Sequence, residues 1–121
     1  MKNKKLRIAI PTKGQNGLDD VLSDVFGRAN TYTIVDVEKG VIKNVETLGN
    51  PAVSYKHGAG PIVVKMLIDA GVDMVLAPEL GPGASALLEQ HDIPTIVVTP
   101  GTGVEKSVRE ALAKSGNSRI R

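Results

Sequence analysis

The segment YKHGAGP, residues 55–61, places His57 beside two glycines at the start of a predicted helix. An imidazole is a common metal ligand, and glycine lets a ligand come close to the backbone. The N-terminus of a helix favours anions because its amides carry partial positive charge. His57 is therefore a candidate ligand at a binding loop. A lone loop histidine is more often structural or incidental than a ligand, and this segment alone leaves both interpretations open.

Other glycine-bearing segments follow predicted strands and precede helices in the same way. They are PTKGQNG at residues 11–17, PELGPGAS with Gly81 and Gly83, and TPGTGVE with Gly101 and Gly103. Because the carboxyl ends of parallel strands meet at one edge of a sheet, we expect these loops to share a pocket that tolerates anions. Glycine and proline are also the ordinary residues of βα turns, so a structural role for any one loop stays open. No segment matches a Walker A or G-x-G-x-x-G pattern.

The elements that must position these loops are predicted from hydrophobic periodicity. Strands are predicted over residues 6–10, ending at Pro11, over a hairpin at 32–37 and 41–47, and over two further buried runs at 72–77 and 93–99. Apolar residues at helical spacing predict a helical turn within residues 16–29 and helices from 58–61 to Gly71, at 81–90 and at 103–114. Buried strands that alternate with helices indicate a layered α/β domain, and the hairpin makes its sheet mixed. We expect one domain, residues 1–121, with an ordered core at about 5–115.

Composition excludes several classes of protein. With 0 cysteines, the chain has no disulfide, no thiolate zinc site and no protein-thiolate ligation of iron–sulfur clusters. Aromatic residues make up 2%, too few for the stacking platforms of a single-strand nucleic-acid binder. No apolar run reaches the length of a membrane span, so we expect a cytoplasmic protein without membrane or nucleic-acid partners.

Catalytic constellations are also missing from the sequence. The first strand, LRIAI, carries no carboxylate, which argues against a metal-dependent hydrolase of the ribonuclease H type. Ser54 and Ser85 have no evident histidine and acid partners. The second histidine, His91, ends a helix, where a cation suits the helix dipole. We therefore expect a binding protein and no enzymatic activity.

Four short motifs carry a resemblance to a known family: FGRA at 26–29, HGAG at 57–60, AGVD at 70–73 and GPGA at 81–84. Together with IAIPTKG near the start and PGTGVEKSVREAL near the end, they run in order over nearly the whole chain. The chain resembles the dinitrogenase iron–molybdenum cofactor biosynthesis family. These are small domains of nitrogenase accessory proteins that carry the iron–molybdenum cofactor or its precursor.

The resemblance implies a three-layer α/β/α fold with a ribonuclease H-like motif and a five-stranded mixed sheet, in which one hairpin strand is antiparallel. It also implies a non-catalytic carrier of an anionic iron–sulfur or iron–molybdenum–sulfur cluster, with cluster donor or acceptor proteins as possible partners. His57 would then be the metal ligand, with Gly58, Ala59 and Gly60 at its side. Lys13 and Arg28 would contact the anion. The alternative function is a binding module for a phosphorylated or nucleotide-like small molecule at the same glycine-rich loops.

Overall fold

A computed structural model of the chain describes residues 5–120, with side chains through residue 114. The strands are β1 (Lys5–Thr12), β2 (Thr31–Glu38), β3 (Val41–Gly49), β4 (Met74–Ala77) and β5 (Thr95–Val97). The helices are α1 (Ala59–Asp69), α2 (Pro82–Gln90) and α3 (Val104–Ile120), and a short 3₁₀ turn covers Gly17–Asp19. The predicted order of strands and helices is confirmed except in the segment after β1.

The five strands form one mixed sheet in the order β3-β2-β1-β4-β5. Strand β2 pairs antiparallel with both β1 and β3, whereas β4 pairs parallel with β1 and with β5. The hairpin turns at Lys39 and Gly40, both of which have positive φ. The predicted mixed sheet with one antiparallel hairpin strand is confirmed. Strands β3, β1, β4 and β5 therefore share one carboxyl edge, from which the loops that lead to the three helices start.

Buried apolar side chains pack on both faces of this sheet. Ala9, Val63 and Leu67 belong to the cluster beneath α1 and α2. Ile8, Ile10 and Val108 belong to the cluster beneath α3. Neighbouring residues of β1 thus point to opposite faces, as the two-residue period of a strand requires. Helices α1 and α2 cover one face and α3 covers the other, which confirms the three-layer α/β/α arrangement.

The helical turn predicted within residues 16–29 forms only as the 3₁₀ turn Gly17–Asp19, and the rest of this segment is not helical. The buried carboxylate of Asp20 accepts hydrogen bonds from the backbone N–H groups of Gly14, Asn16 and Val21, at 3.2, 3.0 and 2.8 Å. Such local bonds offer the backbone an alternative to helical pairing. Beyond the 3₁₀ turn, Leu22 forms an isolated bridge with Thr12 instead of continuing a helix.

Three predicted boundaries also differ. β1 does not end at Pro11 but continues to Thr12, because Pro11 lies past the residues that pair with β4. β5 is not a buried strand: it lies at the sheet edge, covers Thr95–Val97, and Val97 is 72% exposed. The backbone of α3 is helical to Ile120, beyond the predicted helix end at residue 114. Among the described residues, no helix combines the length and apolar character that a membrane crossing needs.

Candidate functional site

A cleft of about 550 Å³ lies where the N-termini of α1 and α2 meet. Residues from three segments surround it: the loop before α1, the FGRA segment before β2, and the loop between β4 and α2. The residues that line it are Asp24, Val25, Phe26, Gly27, Arg28, Lys56, His57, Gly58, Ala59, Gly60, Pro61, Glu79, Gly81, Gly83 and Ala84.

Both helix N-termini at this cleft are open. The N-cap residues are Gly58 before α1 and Gly81 before α2. Glycine has no side chain that could cap the helix, and no side-chain cap from the described residues is present at either position. Gly58 has φ of +76°, a left-handed conformation that favours glycine over residues with a Cβ. The first-turn amides of both helices are thus not taken by a side-chain cap. Two helix ends directed at one cleft make it attractive to an anion.

Close backbone packing explains the glycine of the FGRA motif. A Cβ added at Gly27 would lie 3.1 Å from the amide nitrogen of Gly60 and 3.2 Å from its Cα. A Cβ added at Gly60 would lie 3.4 Å from the Cβ of Ala84 in α2. The FGRA segment therefore packs backbone against backbone on the start of α1, and the start of α1 lies against the Cβ of Ala84 in α2. This packing holds the three segments of the cleft together.

Polar contacts tie the FGRA segment to the loop that carries His57. The Arg28 guanidinium donates a hydrogen bond to the carbonyl oxygen of Lys56. The Asn50 side-chain amide donates to the carbonyl oxygens of Gly27 and Ala29, at 3.0 and 2.8 Å. Arg28 is therefore fixed to the backbone next to His57, and its guanidinium serves a structural contact at the cleft.

Tyr32 packs against the FGRA segment and hydrogen-bonds to it. Its buried hydroxyl donates to the carbonyl oxygen of Phe26 and accepts a hydrogen bond from Asn50 at 3.2 Å. The rings of Phe26 and Tyr32 meet edge to face, with centroids 5.9 Å apart. Burial raises the pKa of the Tyr32 hydroxyl above its ordinary range, so the group stays protonated and keeps its donor.

The charges along the cleft are mixed. Arg28 and Lys56 are basic, whereas Asp24 and Glu79 are acidic. The Lys13 ammonium lies 3.8 Å from a carboxylate oxygen of Asp24, and both side chains are at least half exposed. Because the side-chain charges along the cleft oppose one another, the attraction for an anion comes mainly from the two helix N-termini.

The loop before α3 is built differently. The Leu22 N–H donates to the Thr102 carbonyl at 2.9 Å, and the Gly101 N–H donates to the Leu22 carbonyl at 3.0 Å. The first amide of α3, that of Val104, donates to the Asp20 carbonyl at 2.9 Å, and Gly103 forms a bridge with Val21. Chain segment 20–22 therefore lies across this loop and occupies its backbone groups.

The structure brings most of the predicted site residues together. His57, Gly58, Ala59, Gly60, Arg28, Gly81 and Gly83 line one cleft. Lys13 reaches that cleft only through Asp24. Gly101 and Gly103 do not line it, because the sheet separates α3 from α1 and α2. Cofactor contact by any of these residues stays a prediction.

Sequence reasoning missed Asp24, Lys56, Glu79 and Asn50. The first three stand beside the motifs FGRA, HGAG and GPGA, so neighbourhood alone could have suggested them. Asn50 lies in an irregular segment, and nothing in its local pattern points to a carbonyl 21 or 23 residues away. Among the described residues, no group of three or more His, Asp or Glu side chains could hold a metal ion. His57 is thus a single imidazole without a protein cage.

The chain is an α/β/α domain with a cleft at paired helix N-termini. Residues 4–114 match the family described as "Dinitrogenase iron-molybdenum cofactor", and the chain belongs to this family. The family membership that the motifs predicted is confirmed.

The chain is similar in sequence or in structure to proteins from several organisms. Uncharacterized protein MJ0580 of Methanocaldococcus jannaschii is 32% identical over 93 residues, which are 77% of this chain and 75% of that protein. The apo form of the orange protein from Desulfovibrio gigas is 28% identical, with a TM-score of 0.79, and the match covers 93% of this chain and 91% of that one. A Thermotoga protein with a provisional NifB assignment is 33% identical, with a TM-score of 0.72, over 90% and 88% of the two chains.

Proposed function

We propose that this protein is a non-catalytic carrier that binds a preassembled, anionic iron–sulfur or iron–molybdenum–sulfur cofactor in the cleft between α1 and α2. His57 supplies one exchangeable ligand to an exposed metal of the cofactor. The first-turn amides after Gly58 and Gly81 hold its negative charge. The cytoplasm, the predicted location, is part of this proposal, as are donor and acceptor proteins that load and unload the cargo.

The observation that carries the proposal is the pair of helix N-termini without side-chain caps, Gly58 and Gly81, at one cleft beside His57. Helix N-termini stabilise anions through oriented amides without a formal charge of their own. The imidazole adds a ligand suited to iron. The family membership and the relationship to a protein known in an apo form support a bound group of this class.

The donor set fits a preassembled cluster better than a bare metal ion. A bare ion needs several protein ligands, and the described residues offer no group of three. A cluster arrives with its own sulfur ligands and needs one imidazole and hydrogen-bond donors. Since the chain has 0 cysteines, no thiolate can anchor the cluster. Weak, reversible binding follows, and this is what a carrier requires.

Asp24 and Glu79 favour a metal-bearing cargo over the alternative, a phosphorylated small molecule. Carboxylates beside the cleft repel the oxygens of a phosphate and the sulfides of a cluster alike, but a cluster also exposes metal ions, which carboxylates attract. Sites built for phosphate usually add arginine or lysine around the helix end. Here the basic residues of the cleft are Lys56 and Arg28, and Arg28 already donates to a backbone carbonyl.

The test uses the two histidines as a matched pair. Wild type, His57→Ala and His91→Ala are incubated anaerobically with an iron–molybdenum–sulfur cofactor precursor and passed through gel filtration. The absorption spectrum of the protein fraction then reports the bound cluster. We expect co-elution with wild type and His91→Ala, and at least a tenfold loss with His57→Ala.

His91 is a suitable control because it is exposed at the end of α2, with Nδ1 3.0 Å from the Leu87 carbonyl oxygen and away from the cleft. Both substitutions remove exposed side chains, so each should change the free energy of unfolding by no more than about 0.5 kcal/mol. Equal loading of the two variants would refute His57 as the ligand. Saturable binding of pyrophosphate without uptake of the cofactor would refute the carrier and favour the phosphate module.

A further inference from the structure

We propose that Asn50 is a positioning residue for the cleft: through the carbonyls of Gly27 and Ala29 it fixes Arg28, and Arg28 in turn holds the backbone beside His57. This inference deepens the proposed function and rests on it where cofactor binding is concerned. It assigns the FGRA motif a mechanical role, because the arginine connects two segments of the cleft.

The first link is the Asn50 side chain. Its amide nitrogen lies within hydrogen-bond distance of three oxygens: the Gly27 carbonyl at 3.0 Å, the Ala29 carbonyl at 2.8 Å and the Tyr32 hydroxyl at 3.2 Å. Its Oδ1 accepts the N–H of Ala52 at 2.7 Å. The half-buried Asn50 therefore fastens the backbone on both sides of Arg28 and starts the loop that leads to His57.

The second link is Arg28 itself. Its side chain is exposed, so packing does not fix its direction. Its direction depends on the backbone at residues 27–29, which Asn50 holds, and on the contact of Gly27 with Gly60. From that position the guanidinium donates to the Lys56 carbonyl. Lys56 and His57 are exposed as well, and among the described residues this is the one side-chain hydrogen bond to the backbone of residues 53–58.

The two links together make a chain of contacts from Asn50 to His57. If residues 27–29 shift, the Arg28 donor leaves the Lys56 carbonyl, and the His57 loop loses its side-chain anchor. A metal ligand supplied by an unanchored loop costs ordering entropy on binding. Asn50 thus affects cofactor retention without touching the cofactor.

The test is Asn50→Asp, Arg28→Gln and the double variant. Asn50→Asp keeps an oxygen that can accept the Ala52 N–H, but it removes the N–H donors and turns a carboxylate toward the two carbonyls. Asn44→Asp is the control, because Asn44 is exposed on β3 and makes one long contact, 3.4 Å, to Asp36. The apo proteins are compared through the ¹H–¹⁵N signals of the His57 and Gly58 amides, and the loaded proteins through the rate at which the iron–molybdenum–sulfur cofactor precursor dissociates.

We expect Asn50→Asp and Arg28→Gln to displace the same two amide signals and to speed dissociation about three- to tenfold each. The double variant should dissociate no faster than Arg28→Gln alone, because both residues act through one contact. Asn44→Asp should match wild type in both measurements.

Unchanged His57 and Gly58 signals in Asn50→Asp would overturn the inference, and so would dissociation of the double variant at the product of the two single effects. If Asn50 were merely structural, Asn50→Asp would lower stability and move amide signals throughout the sheet, and it would not reproduce the signal changes of Arg28→Gln. If no protein, wild type included, takes up the cofactor, the proposed function fails, while the amide signals of the apo proteins still decide the role of Asn50.

Discussion

The cleft between α1 and α2 and the loop before α3 come from the same kind of sequence, a glycine-rich loop that leads into a helix. At the cleft, the ends of α1 and α2 face open space next to His57. At α3, chain segment 20–22 crosses the loop, and the Asp20 carbonyl already accepts the first amide of the helix. The first amide of α3 is thus bonded within the protein, whereas no side chain among the described residues caps the first turns of α1 and α2.

A glycine-rich loop at a helix start therefore stays open to a ligand only if no other part of the chain fills it. The Asp20 turn directs segment 20–22 toward α3, where Leu22 is fully buried. The same segment then continues into FGRA, which forms a wall of the cleft on the other face of the sheet. Residues 20–29 therefore close one loop and shape the other.

The largest expected effect is a loss of stability at the loop before α3, which segment 20–22 closes. Leu22→Ala removes a side chain that is 0% exposed within the α3 cluster and should lower the free energy of unfolding by about 2–5 kcal/mol. Chemical denaturation measures the loss. Leu18→Ala, in the preceding 3₁₀ turn and only half-buried, should lose less. A larger loss for Leu18→Ala would show that segment 20–22 does not fasten the α3 loop.

At the cleft between α1 and α2, Gly27→Ala should lower the free energy of unfolding by about 1–3 kcal/mol, because the new Cβ would meet the backbone of Gly60 at 3.1 Å. Gly49→Ala is the matched control, since a Cβ there meets no described atom within 4 Å. Thermal or urea unfolding of both variants gives the comparison. Equal stability of the two would mean that FGRA and HGAG are not stacked as described.

A smaller effect is expected for Tyr32→Phe, which keeps the ring and removes the hydroxyl. The Phe26 carbonyl and the Asn50 amide each lose a partner, and the loss should be about 1–2 kcal/mol. Tyr55→Phe, at an exposed tyrosine, should leave stability within about 0.5 kcal/mol of wild type. If the two substitutions cost the same, the Tyr32 hydroxyl does not support the cleft wall.

Much of the fold could be predicted from residue patterns. The hairpin around Lys39 and Gly40, the buried strand β4 and the helices α1 and α2 each follow local periodicity and turn residues. The structure of segment 16–29 could not be predicted in this way. Its apolar residues have helical spacing, but the Asp20 carboxylate accepts hydrogen bonds from three backbone amides and so favours a different conformation. The exposure of β5 also escaped prediction, because an apolar edge strand and an apolar central strand have the same composition.

The candidate site was predictable only in the part that local motifs define. Local motifs gave His57, Gly60 and Gly81, which stand at helix starts. The separation of Gly101 and Gly103 from them depends on which face of the sheet each helix covers, and no loop sequence states this. Asn50 acts through carbonyls more than 20 residues away in the chain, so only the folded structure reveals its contacts.

The most direct test compares one new charge at two helix starts. Gly81 precedes α2 and Gly103 precedes α3, and a Cβ at either position meets no described atom within 4 Å. Gly81→Asp and Gly103→Asp each place a carboxylate beside a helix N-terminus, where it binds the free amides and repels an anion. We predict that Gly81→Asp lowers cofactor loading at least tenfold with no loss of stability, whereas Gly103→Asp loads as wild type does. Loading that survives Gly81→Asp, or that is lost in Gly103→Asp instead, would contradict the open cleft as the cofactor site.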